Sequence, residues 1–99
     1  GVNLVEEVLD NVFCLKSKEK HITQLYNKSK KESLYIEQSS IDFPFLVVFA
    51  PENSNCVAIE PMSANTDAFN TGNGLRILAP GECFDSTVKI WHVKADKAD

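Results

Sequence analysis

A single carboxylate, Glu60, ends the short apolar run 56–60, directly before Pro61. Side chains alternate between the two faces of a strand, so Cys56, Ala58 and Glu60 share one face. Two small residues beside a carboxylate leave room for a ligand, and a carboxylate on a rigid strand end can accept hydrogen bonds or a proton. Pro61 cannot donate a ladder hydrogen bond, so the strand stops there or runs along a sheet edge. The competing interpretation is a solvated glutamate at a strand end.

The segment 65–73 after this strand is polar, rich in Asn, Thr and Asp, and predicts a loop. Asn65, Asp67 and Asn70 either order the loop through hydrogen bonds to its backbone, which is the favoured interpretation, or contact a ligand. Asp67 together with Glu60 and Glu82 suggests a calcium site only weakly, because the spacing matches no known calcium loop. No metal ligand is therefore predicted.

Three segments, in this order, resemble the C-terminal end of the aldose 1-epimerases, or galactose mutarotases. They are Cys56-Val-Ala-Ile-Glu-Pro61, Asp67-Ala-Phe-Asn-Thr-Gly72 and Leu78-Ala-Pro-Gly-Glu82, with Gly74-Leu75 before the last of them. In that family a strand ending in Glu-Pro or a similar pair precedes an Asn-rich loop, a short strand, a Leu-x-Pro-Gly-Glu turn and a last strand. Both the order and the spacing of these segments fit the family.

The resemblance implies an isomerase that interconverts the α and β anomers of a reducing sugar, an aldohexose such as galactose or glucose, without a cofactor. The reaction needs a base that removes the proton of the anomeric hydroxyl and an acid that protonates the ring oxygen. Glu60 matches the family's catalytic glutamate and is the expected general base. The alternative is a non-catalytic carbohydrate-binding β-sandwich module that has kept the scaffold and lost the acid.

Asp10 is the second site residue that the resemblance implies. The segment Leu9-Asp-Asn-Val-Phe13 is similar to a strand start whose Asp binds sugar hydroxyls. The family usually has His after that Asp, but this chain has Asn11, and a turn or strand-capping Asp is the alternative. The family's catalytic histidines lie upstream of the matched region, and neither His21 nor His92 falls on their positions. The chain alone is therefore expected to lack the general acid and to be inactive.

Composition limits the other functions. The chain has 99 residues, a net charge of −4 and three cysteines. This length allows one domain at most, and the negative charge argues against a nucleic-acid partner. No run approaches the roughly 20 apolar residues of a membrane span. An odd number of cysteines without metal-type spacing indicates a reducing compartment, here the cytoplasm, and Cys14 and Cys56 are expected to act as small apolar residues inside strands.

Alternating and apolar runs predict about seven strands, which must hold these residues. The predicted strands cover residues 12–17, 21–27, 33–38, 43–50, 56–60, 75–78 and 84–93. Residues 2–9 alone suit a short helical turn. The run 43–50 is apolar on both faces and is expected at the centre of a sheet, antiparallel to the 56–60 strand. The pattern predicts an all-β fold, an antiparallel β-sandwich.

The resemblance covers only the C-terminal third of the family's large supersandwich. Residues 1–99 are therefore expected to be a single partial domain, the C-terminal portion of a mutarotase-like supersandwich. Strand edges and half a core would then be exposed. The expected protein partner is the remaining N-terminal part of the same protein or another copy of this chain.

Overall fold

The structure, a computed structural model, describes residues 9–16, 19–52 and 55–95. These residues form six strands and one short helix: β1 (Leu9–Cys14), β2 (Lys20–Asn27), β3 (Glu32–Ser39), β4 (Phe45–Ala50), β5 (Ala58–Met62), α1 (Ala68–Thr71) and β6 (Lys89–Lys94). The strands make two antiparallel three-stranded sheets, in the orders β1-β4-β5 and β2-β3-β6. The prediction of an all-β, antiparallel, sandwich-like fold is confirmed.

The first four strands form one long β-hairpin with a bend in the middle. β1 and β2 make its first arm, and β3 and β4 make its second arm. Pairing begins at Leu9 opposite Ala50 and ends at Asn27 opposite Glu32. The same register holds on both sides of the bend, because equal numbers of residues separate β1 from β2 and β3 from β4, five in each arm. Each half of the hairpin thus supplies two strands to one of the two sheets.

β5 and β6 complete the sheets on the other side of the second arm. β5 pairs antiparallel with β4, and β6 pairs antiparallel with β3. β5 and β6 run in the same direction along the second arm and together take the place of a third strand. Residues 63–88 separate them, beside the bend. This long insertion contains α1 and is where the fold departs from a plain antiparallel ribbon.

The bend is held by buried hydrogen bonds. Gln38 is 0% exposed, and its Nε2 donates to the carbonyl oxygens of Phe43 at 2.9 Å and Phe45 at 3.0 Å. The backbone N–H of Ser40 donates to the Glu19 carbonyl oxygen at 2.7 Å, which joins the two arms where the ladder is interrupted. The two bonds from Gln38 tie this glutamine of β3 to the start of β4, while its own Oε1 is buried without a partner among the described residues.

The buried core is small and lies mainly on β4. The buried apolar residues are Ile36, Phe45, Leu46, Val47, Ala50 and Ala68. β4 is the middle strand of its sheet, so the prediction that the 43–50 run occupies a sheet centre is confirmed, as is its antiparallel pairing with β5. The described residues extend 54 × 29 × 21 Å with a radius of gyration of 16.0 Å, against about 13 Å for a compact domain of this size.

The predicted start of the first strand is wrong. β1 begins at Leu9 rather than at residue 12, and Asp10 and Asn11 do not interrupt it, because they pair with Phe49 and Val48 of the central strand. Asp10 is therefore neither a turn residue nor a strand breaker. Residues 2–8 of the predicted helical turn lie outside the described residues, and Leu9 belongs to β1.

Two predicted strands in the C-terminal half are also wrong. Residues 75–78 form no strand, and β6 begins at Lys89 rather than at residue 84. The Ser86 hydroxyl donates to Asp42 Oδ2 at 2.8 Å, and this bond holds the segment 84–88 against the bend. Phe84 of this segment meets Phe43 at the bend with ring centroids 6.3 Å apart, and the segment does not join the ladder.

Both cysteines that were expected inside strands as small apolar residues are exposed. Cys14 lies at the end of β1, on an edge strand, where little covers it. Cys56 precedes β5, which begins at Ala58. Cys14 therefore lies in a strand as predicted but is exposed, and the prediction that Cys56 lies inside a strand is wrong.

Candidate functional site

Glu60 lies on β5, an edge strand, with its side chain exposed. It stands opposite Val47 of β4, which in turn stands opposite Val12 of β1. The strand continues through Pro61 to Met62. Since β5 is an edge strand, proline can occupy it without leaving a central ladder position unbonded, and this was one of the two outcomes expected from the sequence.

Asp10 and Glu60 project from the same face of the β1-β4-β5 sheet. Asp10 stands opposite Phe49 of β4, and Glu60 stands opposite Val47, two positions away on the same strand. Residues that are directly opposite in an antiparallel ladder share a face, and so do residues two positions apart on one strand. The two carboxylates belong to opposite edge strands, with Cα atoms about 12 Å apart by ordinary strand spacing. Between them the floor is apolar, with Phe49 still 39% exposed.

An open hollow of about 700 Å³ begins next to this face, where β5 passes into the insertion. Phe43, Met62, Asp67, Phe69 and Arg76 are among the residues that line it. Met62 is two positions beyond the catalytic candidate on β5 and therefore points to the same side of the sheet. Glu60 itself is not part of the lining, so it stands beside the hollow and not inside it.

The polar insertion is ordered by its own side chains. Asp67 Oδ1 accepts a hydrogen bond from Asn70 Nδ2 at 2.6 Å, and Asn65 Oδ1 accepts one from the Thr66 N–H at 2.7 Å. The Asn65 N–H also donates to the Asn73 carbonyl oxygen at 3.0 Å. The Asn65 side chain thus bonds the loop backbone as the sequence favoured, whereas Asp67 and Asn70 bond each other through their side chains.

Neither histidine of the chain is near the two carboxylates. His21 lies on β2 opposite Gln38, and His92 lies on β6 with its Nε2 3.7 Å from Glu32 Oε2. Both therefore belong to the other sheet. In the part of the chain that the structure describes, no group of three His, Cys, Asp or Glu residues could hold a metal ion.

The sequence interpretation missed a residue of the hollow, Arg76. Its guanidinium carbon lies 3.9 Å from the centre of the Phe84 ring. Phe84 in turn meets Phe43 edge-on, with ring centroids 6.3 Å apart. The sequence did hold one signal that could have singled out Arg76, since the chain has a single arginine and nine lysines. The stacking of Arg76 on Phe84 could not be predicted from the sequence, because Phe84 was expected to lie on a strand.

Comparisons with protein-family models, with curated proteins and with solved structures found no match. Among the described residues, no helix has the length and apolar character needed to cross a membrane. The function of the chain is therefore inferred from its own residues and their geometry.

Proposed function

We propose that this chain is the C-terminal part of an aldose 1-epimerase-like enzyme, with Glu60 as general base on an aldohexose such as galactose or glucose. The observation that carries the proposal is the placement of Asp10 and Glu60 on one face of the β1-β4-β5 sheet, across an apolar floor. Ionised carboxylates accept strong hydrogen bonds from hydroxyls, and an apolar floor suits the C–H groups of a sugar ring. The sequence resemblance named the same two residues.

In this mechanism the Glu60 carboxylate takes the proton from the anomeric hydroxyl. The bond between the anomeric carbon and the ring oxygen breaks, and an acid gives the ring oxygen a proton. The resulting aldehyde rotates about the bond to its neighbouring carbon, and the ring closes on the other face by the reverse transfers. Asp10 accepts hydrogen bonds from other hydroxyls and holds the sugar during the rotation.

The acid must come from outside the described face, because His21 and His92 lie on the other sheet. The remaining N-terminal part of the same protein would supply it. The exposed apolar surface favours such a partner. Large apolar side chains that are more than half exposed include Ile22, Tyr26, Ile41, Phe69, Ile77 and Ile90.

A second candidate function is a non-catalytic carbohydrate-binding module. The observation that favours it is the exposed position of Glu60 beside the hollow, with no histidine on the same sheet. Such a module would bind the sugar through the same face and leave the anomers unchanged.

The two candidates differ in the effect of Glu60→Gln on turnover. The chain is mixed with the N-terminal part, and the optical rotation of freshly dissolved α-galactose is followed. We expect no acceleration by the chain alone, acceleration by the mixture, and at least a hundredfold loss with Glu60→Gln, since a general base contributes about 10²- to 10⁴-fold. Glu52→Gln removes an equally exposed carboxylate in the turn after β4 and should keep full activity.

Sugar binding, measured by NMR titration, completes the test. In the enzyme, Glu60→Gln changes sugar affinity little while turnover is lost. Binding without turnover in the wild-type mixture would instead support the binding module. Acceleration by the chain alone, or full activity of Glu60→Gln, would refute the proposed mechanism.

A further inference from the structure

Two charged side chains line the hollow at the bend, the carboxylate of Asp67 and the guanidinium of Arg76. We infer that Arg76 binds the anionic group, a phosphate or a carboxylate, of a charged sugar whose reducing end lies at Glu60. The sugar part of this inference rests on the proposed function, whereas the anion site rests on the geometry around Arg76.

The Arg76 guanidinium is held in place before any ligand arrives. It lies 3.9 Å from the centre of the Phe84 ring, and Phe84 is itself packed edge-on against Phe43 at the bend. Stacking on an aromatic ring favours a flat guanidinium and leaves its N–H donors at the edge free to bind. A side chain that is already ordered loses less entropy when it binds a ligand.

No carboxylate neutralises this charge within the described ranges. The ion pairs found there join Lys89 to Glu37 and His92 to Glu32. Asp67 also lines the hollow and keeps its negative charge, but no ion pair joins it to Arg76, and its Oδ1 accepts a hydrogen bond from the Asn70 side-chain amide at 2.6 Å. A guanidinium without a carboxylate partner, in a concave site, matches the planar pair of oxygens of a carboxylate or phosphate.

The Glu60 face and the hollow share Met62. This residue lines the hollow and lies on the Glu60 face, about 7 Å further along the strand. Two aromatic residues, Phe43 and the 94% exposed Phe69, line the same hollow and offer faces for the C–H groups of a sugar. In the proposed complex, a sugar with its anomeric carbon at Glu60 extends past Met62 into the hollow that Arg76 lines.

The test compares four probes on the full chain: glucose, glucose 6-phosphate, glucuronate and inorganic phosphate. Affinities are measured by NMR titration at one fixed ionic strength. We expect at least one charged sugar to bind about tenfold or more tightly than glucose, because hydrogen bonds to charged groups are the stronger ones. The charged sugar that binds more tightly identifies the anionic group. Inorganic phosphate alone should bind more weakly than the preferred charged sugar, because it lacks the ring contacts.

Variants separate the guanidinium from general electrostatics. Arg76→Gln should remove the preference for charged sugars and leave glucose affinity within twofold, and Arg76→Lys should keep part of the preference, because it keeps the charge without the planar fork. Lys30→Gln removes an equal charge in the turn between β2 and β3 and should change nothing. Arg76 is exposed, so unchanged urea midpoints are expected for its variants.

Three results would overturn the inference: equal affinity for glucose and both charged sugars, equal losses with Arg76→Gln and Lys30→Gln, or inorganic phosphate binding as tightly as the charged sugars. The outcome is distinguishable from that of the proposed function. If Glu60-dependent turnover of neutral sugar persists without a charge preference, only the Arg76 inference fails. If the charge preference depends on Arg76 but Glu60→Gln leaves turnover unchanged, only the proposed function fails.

Discussion

Gly74 is a point where the insertion lies close to the core, and its replacement by alanine is a sharp test of the structure. Its φ is +76°, a conformation that L side chains rarely adopt. A Cβ at this position would lie 2.8 Å from Phe45 Cε2 and 3.2 Å from the Ala64 Cα. Phe45 is buried on the central strand, so its ring cannot move aside without disturbing the core.

Two separable costs determine the effect of Gly74→Ala. A non-glycine residue in the left-handed region costs about 1–2 kcal/mol, and overpacking beside a buried ring costs about 1–3 kcal/mol more. Gly72 supplies the matched control, because its φ is +75° and a Cβ there would meet nothing within 4 Å. Gly72→Ala should therefore show only the first cost, and the difference between the two variants measures the contact with Phe45.

Urea unfolding followed by circular dichroism measures both variants. With a urea dependence of about 2 kcal/mol per molar, the midpoint of Gly74→Ala should lie about 1 M below that of Gly72→Ala. Equal midpoints for the two variants would show that the insertion does not pack on Phe45. The hollow as described here would then be wrong, and the Arg76 inference with it.

Two further predictions concern the sheets. Gln38→Leu should lower the free energy of unfolding by about 1–3 kcal/mol in urea titrations, because it removes two hydrogen bonds at the bend. Gln24→Leu, which removes one bond from an exposed glutamine, should cost less than about 1.5 kcal/mol, and equal costs would contradict the buried bend. The only tryptophan, Trp91, stacks on Tyr35 with centroids 5.3 Å apart, so its fluorescence should not change when sugar is added. A saturable change in its emission would place the sugar on the other sheet.

Several features of the fold follow from local sequence alone. The run 43–50, apolar on both faces, predicts a covered central strand, and β4 occupies that position. Pro61 predicts a strand end or an edge strand, and β5 is an edge strand. These predictions succeed because the two-residue alternation of a strand and the missing N–H of proline act within a few residues.

Local sequence predicted the strand ends and the C-terminal half of the chain less well. Residues 84–88 were expected to begin the last strand, yet Ser86 contacts Asp42 and Phe84 contacts Phe43 at the bend. Asp10 and Asn11 carry turn-forming side chains, yet pairing with β4 extends the strand through them. In both places a contact across more than 35 residues of chain overrides the local preference.

For the site, local sequence selected the carboxylates Asp10 and Glu60 one by one, through their strand positions and the family resemblance. Only the pairing of β1 and β5 with β4 places both on one face, and only the packing of the insertion brings Arg76 onto Phe84. Alternation states which residues of one strand share a face, but it carries no information about the neighbouring strand or its register. That choice is made by long-range pairing and burial, so the spacing between the two carboxylates and the charge of the hollow are properties of the folded chain.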